Sequence, residues 1–219
     1  LFSNLIEEEE FLFFLIPGLI VALVSFIDDF SEVRPLIRIA VHFFCALLGL
    51  FLVGGFNSID LFGTTVNLGI WGYFIGSIYI VWFINLYNFM DGIDGLASIQ
   101  AIFVFLVFSV FAYFILSDLS LTFILISISA SVFGFLFFNF PKAVIFLGDV
   151  GSSFLGILIA LISIKTSQIN PELFWSWLIL LGIFLVDSTY TLVVRVLRKD
   201  KFYLPHSLHA YQKLSRLFD

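Results

Sequence analysis

The stretch that decides the fold is NLYNFMDGIDG, residues 85–95, which lies between two apolar runs, 70–83 and 96–116. Its polar residues therefore lie at a membrane boundary and not within a polar domain. Asp91 and Asp94 are three residues apart, and the two glycines of the stretch allow the backbone to turn tightly. Paired carboxylates repel unless a cation or a donor lies between them. The stretch predicts a metal or polar-ligand site, with an Asp-Gly turn that caps two helices as the alternative.

The composition predicts an all-α integral membrane protein, a polytopic helix bundle. The chain has 219 residues, of which 61% are hydrophobic and 12% charged, whereas soluble domains carry about 25% charged residues. Its mean hydropathy is +1.14. The single cysteine, Cys45, lies in an apolar run and excludes an internal disulfide. We expect residues 1–219 to form one transmembrane domain without a nucleic-acid partner. The start at Leu1 and the polar end predict missing helices at the N-terminus and possible loss at the C-terminus.

Apolar runs near the length of a bilayer crossing predict about seven spans. They are residues 11–27, 36–53, 70–86, 96–116, 119–138, 154–164 and 173–196. The Gly-rich segment 54–68 alternates Val, Thr and Ile and predicts a short extracytoplasmic hairpin. Residues 139–151 are predicted as a loop and 165–172 as a turn.

The basic residues predict the orientation. Alternating spans place nine of the ten Lys and Arg residues on one side, which is therefore cytoplasmic. They are Arg34, Arg38, Lys142, Arg195, Arg198, Lys199, Lys201, Lys213 and Arg216, while Lys165 lies on the other side. Every polar motif falls on the cytoplasmic side, so the motifs are expected to share one site.

Two further motifs carry acids on that side. Asp28-Asp29 is predicted to end the first span, where charge is costly and often functional; the alternative is a pair of solvated loop acids. In NFPKAVIFLGDVGSS, residues 139–153, Asp149 lies just before a predicted helix. A helix N-terminus suits phosphate, and a neighbouring carboxylate suits Mg²⁺. The alternative for Asp149 is a helix N-cap.

The tail is basic and carries His206 and His209, spaced to share one face of a helical turn. Two histidines without a nearby cysteine are too few for zinc, whereas cationic groups suit a diphosphate. The alternative is a juxtamembrane segment that contacts anionic lipid. His42, inside a span, is predicted to be structural, and Asp187 is expected to face the bundle interior.

Together these motifs resemble the polyprenyl-phosphate N-acetylhexosamine-1-phosphate transferases, glycosyltransferase family 4. The family includes the muramoyl-pentapeptide transferase of peptidoglycan synthesis and enzymes that initiate O-antigen. Four motifs match in order, namely Asp28-Asp29, 85–96, 139–152 and the histidine loop. The family has about ten or eleven helices, so the chain resembles its middle and later part. The histidine spacing differs from the consecutive histidines of the muramoyl enzyme and resembles the O-antigen subgroup.

The resemblance implies transfer of N-acetylhexosamine-1-phosphate from a UDP-sugar to polyprenyl (undecaprenyl) phosphate, which releases UMP and starts a cell-envelope glycan. It implies Mg²⁺, with Mn²⁺ as a substitute, at Asp149 and Asp91. The implied catalytic residues are Asp28, Asp29, Asp91 and Asp149. The implied substrate-binding residues are Asn88, Asp94, Asn139, Phe146, His206 and His209. The implied location is the bacterial inner membrane, with a homodimer as one form of association.

Other functions remain open from the sequence. An intramembrane aspartyl protease also uses two membrane-buried aspartates, but six acids cluster here. An ion-coupled transporter needs acids near the bilayer midplane, where only Asp187 and His42 qualify. A CDP-alcohol phosphotransferase needs a longer Asp-Gly pattern, which is absent. A non-catalytic scaffold that has kept the motifs is a further alternative.

Overall fold

The computed structural model describes residues 8–31, 33–198 and 210, with the side chains of 8–10 left out. The described chain is a helix bundle with one small hairpin. Its helices are α1 Glu8–Ser31, α2 Pro35–Val53, α3 Trp71–Met90, α4 Leu96–Phe111, α5 Leu119–Asn139, α6 Gly148–Ile169, α7 Leu173–Leu180 and α8 Gly182–Leu197. A π-helical segment, Ala112–Leu116, extends α4. The predicted all-α membrane fold is confirmed.

Six of the described helices are long and apolar enough to cross a membrane, or seven spans if the bent pair α7 and α8 is one. The predicted hairpin is confirmed, because β1 Ser58–Leu61 pairs antiparallel with β2 Thr64–Asn67. Asp60 accepts a hydrogen bond from the backbone N–H of Gly63 and so fixes the tight turn between the strands.

Several predicted boundaries are wrong. Helix α1 continues past Asp28-Asp29 to Ser31, and α3 continues through Asn88 to Met90. The segment 139–151 is not a loop throughout, because α6 begins at Gly148 and runs 22 residues to Ile169. A helix satisfies its own backbone hydrogen bonds beyond the apolar run, so the first polar residue does not mark the end of the helix.

The predicted seventh span is also wrong as a single helix. It bends by 70° between α7 and α8, at Leu181. The side chains remain apolar across the bend, so hydropathy carries no sign of it. Gly182, which starts α8, is the one local residue whose backbone freedom favours such a break.

Helix α6 is the central helix of the bundle. Its apolar segment is 78% buried, whereas none of the other five single helices that are long enough to span a membrane exceeds 50%. Small residues allow its close packing: a Cβ on Gly156 would lie 2.6 Å from the carbonyl oxygen of Phe83 in α3, and one on Gly49 of α2 would lie 2.6 Å from the Leu161 side chain. Since α6 starts with Gly148-Asp149, the best-packed helix positions that carboxylate.

The bundle has two polar ends. At the hairpin end, Trp175 donates from its ring nitrogen to the carbonyl oxygen of Asp60 at 2.5 Å, and Gln168 donates to that of Gly55. At the other end, here called the site end, α1, α3 and α5 stop and α2, α4 and α6 begin. The acidic motifs of the described chain meet at the site end.

Candidate active site

Arg38 joins two of the acidic motifs. Its guanidinium donates to Asp28 Oδ2 at 2.5 Å and to Asp149 Oδ2 at 3.1 Å. Arg38 lies in the first turn of α2, so this bridge ties together the ends of α1, α2 and α6. From the sequence, Arg38 was predicted as a cytoplasmic charge and, in the alternative reading of the doublet, as a neighbour of Asp28-Asp29, but not as a bridge to Asp149. Two features of the sequence indicated the bridge: Arg38 lies in the first turn of the helix that starts at Pro35, and it follows Asp28 by ten residues.

Asn88 holds the other oxygen of Asp149. Its side-chain amide donates to Asp149 Oδ1 at 2.6 Å and lies 3.3 Å from Ser152 Oγ. Ser152 in turn donates to the carbonyl oxygen of Gly148. The Asp149 side chain nevertheless remains 36% exposed. We call Asp28, Arg38, Asn88 and Asp149 the carboxylate–arginine cluster.

Asp91 lies just past the end of α3, where it is partly buried. Its pKa is raised from the ordinary 3.8 to about 6, mainly by burial; a hydrogen bond from the Gly148 backbone opposes the shift, and the charge of Asp149 adds to it. Asp91 and Asp149 are thus close enough to repel each other. Such repulsion is relieved by a cation.

The two members of the acid doublet differ. Asp28 is 13% exposed and also accepts from the backbone N–H of Val33 at 2.7 Å, which closes the turn after α1. Asp29 is exposed. The structure therefore brings Asp28 into the cluster through Arg38 and leaves Asp29 at the surface of the same end.

Asp94 and Asn139 form a second group, which ties loops together. Asp94 Oδ2 accepts from the backbone N–H of Ala143 at 2.8 Å. Buried Asn139 accepts from the N–H of Gly95 at 2.9 Å and donates to the carbonyl oxygen of Ile145 at 3.0 Å. We call Asp94 and Asn139, with these backbone partners, the loop-tie group. It joins the α3–α4 turn to the α5–α6 loop.

The loop-tie group sits beside an exposed aromatic ring and a constrained glycine. Gly95 has φ +76°, and a Cβ there would lie 2.9 Å from the Phe140 ring, so both the backbone angle and the space demand glycine. Phe146, in the loop that the group holds, is exposed. Ring and loop together offer an open surface at the site end.

The remaining predicted residues belong to the tail and to the membrane spans. His206 and His209 lie outside the described residues. Ala210 is described, and its backbone N–H donates to Asp187 Oδ1 at 2.9 Å, so this point of the tail lies against α8. His42 is buried in α2, and Cys45 is a buried free thiol, as predicted.

The donor set fits a cation that is shared with a substrate. Within the described residues, no three His, Cys, Asp or Glu side chains converge as a metal cage. Mg²⁺ usually takes one or two carboxylates and completes its shell with waters and substrate phosphates. Asp91 and Asp149, with their mutual repulsion and the exposed carboxylate of Asp149, meet that requirement.

Comparison with known proteins identifies a family and two similar transferases. Residues 11–167 match the sequence profile described as Glycosyl transferase family 4. The chain is 31% identical over 211 residues to the phospho-N-acetylmuramoyl-pentapeptide-transferase of Streptococcus thermophilus, which covers 91% of this chain and 58% of that protein. A Bacillus subtilis protein, a probable undecaprenyl-phosphate N-acetylglucosaminyl 1-phosphate transferase, is 38% identical over 98 residues, 44% of this chain and 26% of its own length.

Fold and site define a polytopic helical membrane protein with acidic motifs gathered at one end of the bundle. The profile match extends over most of the chain, and the chain belongs to glycosyl transferase family 4. The resemblance to the polyprenyl-phosphate hexosamine-1-phosphate transferases is thereby confirmed. The chain spans about three-fifths of the length of its muramoyl relative.

Proposed function

We propose that the protein transfers N-acetylhexosamine-1-phosphate from a UDP-sugar to polyprenyl (undecaprenyl) phosphate. An oxygen of the lipid phosphate attacks the sugar-bearing phosphorus, the bond from that phosphorus to the bridging oxygen breaks, and UMP leaves with that oxygen. The observation that carries the proposal is the bridge of Arg38 between Asp28 and Asp149. It brings two motifs 121 positions apart in the chain to one end of the bundle, with Asn88 of a third motif on the same carboxylate.

Phosphoryl transfer is catalysed mainly by positioning and by neutralising charge. Asp91 and Asp149 would hold Mg²⁺, for which Mn²⁺ would substitute. The bound cation would neutralise the diphosphate and the charge that builds on departing UMP. Asn88 keeps the Asp149 carboxylate in a fixed orientation through its 2.6 Å hydrogen bond. The catalytic roles of these residues are proposals that follow from the family motifs and this geometry.

Asp28, Asp29 and Arg38 suit the lipid acceptor. They lie at the ends of α1 and α2, both candidate membrane spans. The polyprenyl chain stays in the bilayer, because each CH₂ group favours the apolar phase by roughly 0.8 kcal/mol. A phosphate monoester has its second pKa near 6, so it is mostly a dianion at pH 7 and needs orientation more than deprotonation. The guanidinium of Arg38 would pair with it.

The nucleotide would lie over the loop-tie group. Asp94 and Asn139 hold the loop that carries the exposed Phe146 ring, and an exposed ring offers a stacking surface for a base. We therefore propose that Asp94 and Asn139 contribute to nucleotide binding partly by holding the loop that presents Phe146. His206 and His209 remain proposed ligands of the diphosphate or the sugar.

The sugar and the pathway are finer proposals. The relatives are described as acting with N-acetylmuramoyl-pentapeptide and N-acetylglucosamine groups, so a UDP-N-acetylhexosamine is the donor class we propose here. The histidine spacing leads us to propose O-antigen or a similar cell-envelope glycan. We propose a bacterial inner membrane location with the site end cytoplasmic, on the basis of the basic residues. Family membership also makes the protease and transporter alternatives less favoured.

Product analysis tests the proposed function. Membranes that contain the protein would be incubated with undecaprenyl phosphate, Mg²⁺ and a panel of labelled UDP-N-acetylhexosamines. We expect a labelled undecaprenyl-diphospho-sugar and an equal amount of UMP from at least one donor. Release of UDP with sugar transfer alone would show a different reaction. Peptide cleavage without metal would support the protease alternative.

A further inference from the structure

Three buried polar side chains lie beneath the carboxylate–arginine cluster. Ser25 of α1 and Ser153 of α6 are each 1% exposed, and His42 of α2 is 3% exposed. Within the described part of the chain, neither hydroxyl and neither ring nitrogen of His42 has a hydrogen-bond partner. Burying a polar group without a hydrogen-bond partner is unfavourable. Three such groups on three touching helices favour a shared polar ligand. We call them the buried polar layer.

The register of α2 and α6 places His42 and Ser153 at one level. Arg38 meets Asp149, 111 residues later, at 3.1 Å. Three turns deeper, Gly49 packs against Leu161, 112 residues later. The two helices thus run side by side in the same direction, with an offset that changes by only one residue over three turns. His42 is four residues beyond Arg38 and Ser153 four beyond Asp149, so each lies one turn below its partner in the site.

Ser25 reaches the same level from α1. It precedes Asp28 by three residues, and Asp28 is paired with Arg38. Helix α1 runs toward the site end and α2 runs away from it. Ser25, one turn before Asp28, therefore lies at the level of His42, one turn after Arg38. Helical side chains lean toward the helix N-terminus, which for α2 is the site end. His42 thus leans toward the cluster and interacts with the charges of Arg38 and Asp149.

We propose that Ser25, His42 and Ser153 bind a water molecule that supports the Arg38 guanidinium from below, and that His42 is thereby a positioning residue for the proposed transfer. A neutral imidazole supplies one donor and one acceptor, and each hydroxyl supplies both. A buried water typically makes two to four hydrogen bonds. Arg38 has five N–H donors, of which Asp28 and Asp149 take two, so it can also donate to this water. The functional half of this inference rests on the proposed function.

Kinetics test the positioning role. His42→Leu removes both ring nitrogens, and we expect kcat to fall about tenfold, as when the support of a site group is lost. The KM for the UDP-sugar should change less than about twofold. His42→Gln retains a donor and an acceptor and should restore most of kcat. In an Arg38→Gln background, His42→Leu should have little further effect, because its target is gone. An unchanged kcat in His42→Leu, or an undiminished effect without Arg38, would overturn the role.

Nitrogen NMR tests the water site without any need for activity. The chain has three histidines, so a His206→Gln, His209→Gln protein labelled with ¹⁵N-histidine reports on His42 alone. We expect the ¹⁵N chemical shifts of both ring nitrogens to indicate hydrogen bonding, and magnetisation transfer to show a water molecule beside the ring. These shifts should change in Ser25→Ala and in Ser153→Ala. Ser109→Ala is the matched control, since buried Ser109 of α4 bonds within its own helix to Leu106.

The two tests separate the two claims. If neither serine variant changes the His42 signals, or if no water contact appears, the buried water site is wrong even if the protein transfers sugar phosphate. If the NMR signals behave as expected while the wild type forms no lipid-linked product, the proposed function fails and the water site stands.

Discussion

The carboxylate–arginine cluster and the loop-tie group lie at the same end of the bundle but hold their carboxylates differently. Asp149 is held by side chains, those of Arg38 and Asn88. Asp94 is held by the backbone N–H of Ala143. Side-chain partners can turn away when a ligand arrives, whereas a backbone partner cannot move without moving its loop. We therefore expect Asp149 to be available to a ligand and Asp94 to maintain the shape of its loop.

The largest expected effect follows from Asp149. Asp149→Asn keeps size and polarity, and it would keep a helix cap, but it removes the charge that a cation needs. We expect normal insertion and melting temperature with a loss of at least about a hundredfold in turnover. The assay is lipid-linked product formed per purified protein.

The control for this variant is Asp118→Asn at the hairpin end. Asp118 accepts from the backbone N–H of Leu121 at 2.8 Å and caps α5. Asn caps about as well, so turnover should be unchanged. Near-normal turnover in Asp149→Asn would mean that Asp149 only stabilises the start of α6.

The acid doublet should show the next largest difference. Asp28 holds Arg38, whereas Asp29 is exposed. We expect Asp28→Asn to lower turnover about tenfold, in the range typical for groups that orient a ligand-binding residue, and Asp29→Asn to lower it less. Replacing both by Ala should impair turnover with UDP-sugar affinity nearly intact. An equal loss of UDP-sugar binding would place the doublet at the nucleotide and not at the lipid acceptor.

Substitution in the loop-tie group should lower the melting temperature of the protein. Asp94→Ala leaves the Ala143 N–H without its partner, at a cost of about 1–3 kcal/mol. Each kcal/mol lowers the melting temperature by about 2–4 °C in a chain of this size. Asp118→Ala removes a comparable bond at the hairpin end and should lower the melting temperature without changing turnover at a permissive temperature. An Asp94→Ala protein as stable as the wild type would contradict the loop-tying role.

The smallest expected effect is a change in stability, and it concerns the titration of Asp91. Its pKa in the folded protein, about 6, lies above the ordinary 3.8. The folded state therefore binds the proton more tightly than the unfolded state, and stability falls as pH rises from about 4 through 6. Asp91→Asn removes this loss, so we expect a melting temperature a few degrees higher at pH 7, corresponding to on the order of 1 kcal/mol. The gain should vanish near pH 4, and a constant gain would exclude this cause.

Sequence reasoning placed the spans well, because apolar runs such as 36–53 match α2 almost residue for residue. It placed their polar ends less well, since α1 continues past Asp28 and α3 continues past Asn88. The alternation of the spans predicted correctly that the acidic motifs share one end of the bundle. Sequence reasoning missed the Arg38 bridge, because an ion pair between residues 111 positions apart depends on how helices pack and leaves no local pattern.

The difference in role between Asp91 and Asp94 also escaped the sequence. Both are Asp-Gly residues in one turn, and their spacing suggested a common partner. The structure turns Asp91 toward Gly148 and Asp149, and Asp94 toward Ala143. The partners of both carboxylates lie in residues 143–149, far from the motif in the chain, so the motif alone does not identify them.

The most direct test of the account is the Mg²⁺ dependence of UDP-sugar binding in three proteins. The account predicts that Mg²⁺ strengthens binding to the wild type at least about tenfold, the order of one strong charge-assisted contact. Asp149→Asn should lose this gain. Asp94→Ala should bind the UDP-sugar more weakly both with and without Mg²⁺. The factor by which Mg²⁺ strengthens binding should therefore be the same as in the wild type. An Asp149→Asn protein with the full Mg²⁺ gain, or an Asp94→Ala protein without it, would contradict the division between the two groups.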